Sequence, residues 1–199
     1  MMDATDAVLI EKALGGDEQA FAELVRRYQG AVCGVVRRLL GASPDWEDAV
    51  QETFLRAFSA LGKFDPRYPF GPWVLRIATN YCIDQLRKRK NMKTRLWSEL
   101  GELEQERLLR DFSGEDARDS TGARDVDGYA EIAQTLVNGL NPKYKAAFVL
   151  REVEEREYGE VAKILGTSEV TARVRVSRAR SELQKKFNAW RAGRGERGR

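Results

Sequence analysis

Between residues 167 and 183 the chain reads TSEVTARVRVSRARSEL, with arginines at 173, 175, 178 and 180 set among Val174, Val176 and Ala179. A guanidinium is a planar, permanently charged fork that binds phosphate oxygens and purine edges through paired hydrogen bonds. Four of them so close together suit a polyanion. Advancing about 100° per residue around a helix places Ala172, Val176, Ala179 and Leu183 on one side. Arg173, Val174, Ser177 and Arg178 fall opposite, with Val170 near the centre of that face, and Arg175 and Arg180 flank it. In a major groove the first two arginines would meet base edges and the flanking two phosphates. The competing reading is a basic, solvated helix.

A second group of residues has nucleic-acid chemistry of another kind. The stretch GKFDPRYPFGP carries Phe64, Arg67, Tyr68 and Phe70, with Trp73 just beyond. Aromatic rings beside cations stack unpaired bases, each contact contributing about 1–3 kcal/mol. A hydrophobic plug that tucks the loop onto its domain would claim some of the same rings. Further on, Arg87, Lys88, Arg89 and Lys90, with Lys93 and Arg95, suit a phosphate backbone.

Catalytic chemistry is poorly provided for. Histidine is absent, and no G-x-x-x-x-G-K-[ST] loop occurs. Of the carboxylates Asp45, Asp48 and Glu52, only the last two share a helical face well, and nothing nearby supplies a nucleophile. We therefore expect no catalytic residue, no metal and no cofactor.

The elements that must position these groups are helical. Phe21, Leu24, Val25, Tyr28, Val32, Val36 and Leu39 recur at helical spacing, with Asp17 placed as a cap. A second helix is expected from Pro44-Asp45 to Leu61, burying Val50, Phe54, Ala57 and Leu61 and turning Asp48, Gln51, Glu52 and Arg56 outward. The proline- and glycine-rich stretch is expected as loop, and a third helix from Trp73 to about Lys90. Helical periodicity resumes at Tyr129 and persists to about Trp190. Tyr158 to Leu165 forms a short helix, Gly166 a turn, and Ser168 the cap of the next helix, which is a helix-turn-helix arrangement. Strand-like alternation is confined to RVRVSR.

Charge divides the chain at the same places. Residues 1–95 carry 15 Lys and Arg against 12 acids, residues 96–127 carry 4 against 10, and residues 128–199 carry 15 against 9. Two polyanion-binding modules joined by a repelling segment fit that order. We expect an all-α fold of two small domains, 1–95 and 128–190, an acidic flexible linker over 96–127, and a basic disordered tail over 191–199. The linker's 32 residues stretch to about 105 Å and span about 30 Å as a coil. Cys33 and Cys82 are expected as unpaired thiols, and the lack of a long apolar run or a basic leader points to the cytoplasm.

Both halves resemble the extracytoplasmic-function sigma factors of bacterial RNA polymerase. The resemblance rests on Asp48-Ala49-Val50-Gln51-Glu52-Thr53-Phe54, on Trp73 through Asn80 with Asp84 and Arg87, and on Leu140-Asn141-Pro142. It continues through Phe148 to Arg151, Tyr158 to Ala162, Leu165 to Ser168, Thr171-Ala172, Arg175, and Arg178-Ala179-Arg180. The chain departs from the family's pattern at Asn141, Ala172 and Val174. The resemblance implies that Asp48, Gln51, Glu52 and Arg56 clamp coiled-coil helices of the polymerase core. It implies a −10 site from Phe64, Arg67, Tyr68, Phe70, Trp73, Asn80, Asp84, Arg87 and Lys88. A −35 site follows from Ser168, Thr171, Arg173, Val174, Arg175, Ser177, Arg178 and Arg180. The implied partners are core polymerase, promoter DNA and an anti-sigma protein, with the linker threading the polymerase cleft. A stand-alone helix-turn-helix regulator is the alternative, and it leaves the first domain without a use.

Overall fold

The computed structural model describes residues 5–41, 43–99 and 125–195. Among the described residues there are eight α-helices: α1 (Asp6–Leu14), α2 (Glu18–Leu40), α3 (Trp46–Ala60) and α4 (Phe70–Glu99), then α5 (Asp125–Asn138), α6 (Pro142–Phe148), α7 (Tyr158–Leu165) and α8 (Glu169–Gly195). Among the described residues there is no strand. The RVRVSR alternation is helical within α8: at 100° per residue Val174 and Val176 fall on opposite sides, the first exposed and the second buried, where a strand would set both on one face.

In the first domain, α2 starts where Asp17 accepts from the backbone N–H groups of Gln19 and Ala20, a cap contributing about 1 kcal/mol. Its apolar stripe, Leu24, Val32, Val36 and Leu39, is fully buried against α3 and α4. From α3 come Ala49, Phe54 and Ala57, and from α4 Val74, Leu75, Ala78 and Cys82. Val50, expected in that stripe, is only half-buried, while Ala49 and Thr53 lie inside.

The proline-rich stretch is less irregular than its composition suggests. Helix α4 begins within it at Phe70, so Gly71 and Pro72 are helical. Proline is tolerated there because the first turn's N–H groups lack helical acceptors in any case. Gly71 permits a close approach: a Cβ at this position would stand 2.9 Å from Cε1 of Tyr28. At its other end α4 continues to Glu99, into the segment expected as linker, and α5 starts at Asp125. The acidic linker between them, residues 100–124, lies outside the described residues, as do the side chains of Lys93 and Arg95.

In the second domain, Asn141 accepts from the Lys143 N–H and caps α6, with Pro142 at the first helical position. A π-helical turn over Val149–Val153 follows α6. Helix α8 buries Ala172, Val176 and Ala179 and runs on through Gly195. The expected disordered tail is thus helical over 191–195, and 196–199 lie outside the described residues.

The two domains share one hydrophobic cluster. It passes from the α2–α4 core into Ala146, Val149, Leu150, Val161, Ala162, Ile164 and Ala172. Polar contacts reinforce the join. Arg38 pairs with Glu154, and the Lys145 ammonium donates to the Leu39 carbonyl at 2.6 Å.

Candidate nucleic-acid interface and protein-docking face

The helix-turn-helix is built as its residue types require. Gly166 ends α7 in the left-handed region, φ 59°, which glycine enters without a Cβ penalty. The Ser168 hydroxyl accepts from the Thr171 N–H at 3.2 Å, capping α8, and lies 2.9 Å from the Thr171 hydroxyl. Arg173, Val174, Ser177, Arg178 and Arg180 are exposed, Arg175 and Thr171 are half-buried, and Val170 stands 71% exposed at the centre of the face.

Arg173, Arg178 and Arg180 are held, not loose. Arg173 pairs with Glu169 at 2.6 Å and lies over the Tyr158 ring, 4.2 Å from its centroid. Arg178 donates to the Tyr144 hydroxyl at 3.1 Å. Arg180 pairs with Glu152 at 2.6 Å, and that contact raises its already high pKa. Their partners Glu152, Tyr144 and Tyr158 lie outside the recognition helix, beyond the reach of local periodicity. They orient the guanidiniums in advance, so less rotamer freedom is lost on binding.

The aromatic loop divides into plug and probe. Phe64 and Phe70 are buried and, with half-buried Trp73, form an edge-packed cluster with centroid separations of 5.0–5.7 Å. Tyr28 adds its ring to Phe70 at 5.2 Å. The expectation that Phe64 and Phe70 stack bases is therefore corrected: both rings are consumed by the domain's own packing. Tyr68, 62% exposed, and Arg67 remain outward. Asp65 grips Arg67 at 2.6 Å, and that hydrogen bonding holds the Asp65 carboxyl below the usual carboxylate range.

Along α4, Asn80, Asp84, Arg87 and Lys88 are exposed on the same helix, with Asp84 and Arg87 at 3.6 Å. Asp84, Arg87 and Lys88 border a shallow depression with Arg56 and Tyr81. Arg56 lies 4.8 Å over the Tyr81 ring and pairs with Glu52 at 2.7 Å. This arginine thus joins the outward face of α3 to the face of α4 that carries Tyr81.

On α3, Asp48, Gln51 and Arg56 are exposed, while Glu52, expected outward with them, is half-buried. Sequence periodicity missed the apolar residues beside them. Leu55 is 63% exposed and Phe58 53%, and they line a groove of about 660 Å³ between α2 and α3. Phe21 packs edge-on against Phe58 at 4.9 Å within it. Exposed apolar side chains clustered in a groove rimmed by polar residues mark a protein-docking surface. Their signal was present in the sequence, but an amphipathic helix leaves no single residue pair to show which apolar side lacks a neighbour.

The domain contact brings the aromatic loop and the helix-turn-helix together. Tyr68 and Trp73 of the first domain and Lys163, Gly166 and Thr167 of the second line one cavity of about 370 Å³. Elsewhere in the contact between the domains, Lys145 is buried, and that burial, with the nearby Arg89 charge, lowers its pKa to about 8. Cys82 is a free thiol that burial pushes up to about 12; Cys33 is also free.

The sequence profile of Sigma-70 region 2 matches residues 24–92, and that of Sigma-70, region 4, matches residues 130–183. The chain is 31% identical to the ECF RNA polymerase sigma-E factor of Haemophilus influenzae, over 92% of this chain and 95% of that protein. It is likewise 31% identical to the sigma-E factor of Escherichia coli K12, over 92% and 94%. To ECF sigma factor SigW of Bacillus subtilis it is 29% identical over 89% and 94%. Among solved structures it resembles CnrH in complex with the cytosolic domain of CnrY, with TM-score 0.61, 26% identity, and coverage of 92% and 97%. It shares the fold of RpoE, solved with the anti-sigma factor NepR from Bartonella quintana, with TM-score 0.55, 22% identity, and coverage of 84% and 96%. Two family profiles in the right order, on two domains whose exposed faces suit DNA and a protein partner, place this chain among the ECF sigma factors of bacterial RNA polymerase.

Proposed function

We propose how this initiation factor divides its work. The outward face of α8, with Arg173, Val174, Ser177 and Arg178 central and Arg175 and Arg180 at its edges, reads the −35 element from the major groove. Ser168 and Thr171 fix the start of that helix against the DNA backbone. Tyr68 and Arg67, with Asn80, Asp84, Arg87 and Lys88 on α4, hold the −10 element's unpaired strand. Phe64, Phe70 and Trp73 support that loop from beneath. The α3 face of Asp48, Gln51, Glu52 and Arg56, with Leu55 and Phe58 in the adjoining groove, docks on the polymerase core. An anti-sigma protein is a further partner, as CnrY is for CnrH and NepR for RpoE.

The observation that carries this reading is the joint exposure of a capped, arginine-bearing recognition helix and an apolar docking groove in one chain. The factor works in the cytoplasm and supplies selectivity, with no catalytic step of its own. Separating about ten base pairs forfeits roughly 14 kcal/mol. Stacking one or two bases returns only about 2–6 kcal/mol. The deficit falls to the polymerase.

The packed arrangement also has to open. Promoter elements a few helical turns apart, each turn about 34 Å, require separated domains. Here Arg76 of α4 abuts Gly166 at the turn before α8. Run-off transcription with purified bacterial core on a randomised promoter library tests the reading. Enrichment of paired −35 and −10 motifs is expected, and no transcript from any template would refute it. A stand-alone regulator would instead select one element without core.

A further inference from the structure

One side of α7 belongs to the contact between the domains. Val161, Ala162 and Ile164 are buried in the hydrophobic cluster shared with the first domain. The end of the same helix and the turn after it are engaged as well. Lys163, Gly166 and Thr167 face Pro72, Trp73 and Arg76 across the cavity of about 370 Å³. Arg76 reaches the turn itself, its guanidinium so close that a Cβ on Gly166 would stand 2.6 Å from Nη2. The beginning of α4 thus lies against the segment that leads into α8.

A DNA duplex would need that same space. A helix with its side chains is about 10–12 Å across, and the major groove is about 12 Å wide. The phosphate strands bordering the groove therefore run directly beside whatever flanks a docked helix. In a helix-turn-helix the first helix crosses the backbone, and the second enters the groove by its N-terminal residues. Here the first helix is α7, and the entering residues follow Ser168. The duplex and the first domain cannot both lie against Lys163, Gly166 and Thr167.

The contact is fastened at a distance from that surface. Arg38, in the last turn of α2, pairs with Glu154, whose side chain is only 14% exposed. Nearby, Lys145 donates to the Leu39 carbonyl at 2.6 Å. Parting the domains breaks both contacts and returns part of the shared cluster to water, which the hydrophobic effect opposes.

We propose that the closed chain is autoinhibited: the first domain occupies the side of α7 and the Gly166 turn that duplex DNA requires, with Arg38 and Glu154 as the latch. Closure and duplex binding then oppose each other, each weakening the other by the same factor. The proposal rests on the reading that α8 enters the major groove.

The test uses the full chain and a fluorescein-labelled duplex pool of randomised sequence, two helical turns long. Anisotropy at low salt measures affinity, and small-angle X-ray scattering measures the radius of gyration. Arg38→Glu sets a carboxylate against Glu154 at a half-exposed position. It should enlarge the chain and tighten duplex binding about fivefold or more. That direction is diagnostic, because reversing a positive charge would by itself weaken binding to a polyanion. Arg76→Glu is the second opening variant. The position is exposed, and a carboxylate there is repelled by the C-terminal end of α7. The proposal is overturned if both variants stay compact, or if an opened chain binds the duplex no more tightly than the closed one. Arg175→Ala with Arg180→Ala, added to the opened chain, separates the two ways of failing. Weakened binding there, with no gain on opening, removes the inhibition alone. Unchanged binding removes the reading of α8, and the proposal with it.

Discussion

Arg76 of α4 lies over Gly166 at the turn before the recognition helix, so near that a Cβ on Gly166 would stand 2.6 Å from Nη2 and 2.8 Å from Cζ. The helix proposed to hold the −10 element therefore covers the entrance to the helix proposed to read the −35 element. A guanidinium end can swing aside, whereas the backbone at φ 59° cannot relax without unwinding the turn. Gly166→Ala is expected to cost about 1–2 kcal/mol of stability from the left-handed backbone alone. Adding Arg76→Ala should restore little of it. Urea denaturation of the single and double variants checks this, and full recovery in the double variant would place the strain in the side-chain contact.

Closure of the domains should depend on pH through Lys145. Its pKa is about 8 in the packed arrangement, lowered first by burial, against an ordinary 10.5 when exposed. Between those values the open form holds more protons, so raising the pH favours the closed one. From pH 7 to pH 9 the closure constant is expected to rise about tenfold. Cys82, pushed up to about 12 by burial, and the Arg89 guanidinium also act on Lys145. Energy transfer between dyes on α1 and α8 measures the change. A Lys145→Met chain should show no such pH response.

Neighbouring aromatics in the loop should separate stability from strand binding. Phe70→Ala removes a ring packed on Tyr28, Phe64 and Trp73 and is expected to cost about 3–5 kcal/mol of stability. Tyr68→Ala should leave stability within about 0.5 kcal/mol. It should weaken capture of a single-stranded −10 oligonucleotide by about 1–3 kcal/mol in the complex with core. Thermal melting and fluorescence anisotropy together test the pair.

Glu52→Arg sets a second cation against Arg56, its present partner at 2.7 Å, and reverses the charge of the α3 docking face. Loss of co-purification with core is expected, with the melting midpoint shifted by no more than a few degrees. Retained association would remove this face from the polymerase contact.

Arg178→Ala should reduce discrimination at one −35 base pair by about 1–3 kcal/mol. Tyr144→Phe, which takes away the hydroxyl that Arg178 donates to at 3.1 Å, should reproduce a fraction of that loss by freeing the side chain. Equal losses on every sequence would make Arg178 a phosphate contact.

Much of this protein could be read along the chain because its decisive signals are local. A cap is a matter of one side chain and the next turn, so Asp17 and Ser168 mark the starts of α2 and α8. The stripe Ala172, Val176 and Ala179 follows from helical pitch, and the opposite face is then exposed by subtraction. The Gly166 turn follows from the missing Cβ. Other features depend on contacts between residues far apart in sequence, which periodicity does not encode. Whether Phe70 stacks on a base or on Tyr28 is decided by how α2 and α4 cross. Leu55 and Phe58 are exposed because no described element covers the α2–α3 groove, and Lys145 is buried because α2 of the other domain ends against it. Pattern along the chain thus determined which faces were available. Three-dimensional packing decided which of them are used internally, since burial belongs to pairs of elements and never to one helix alone.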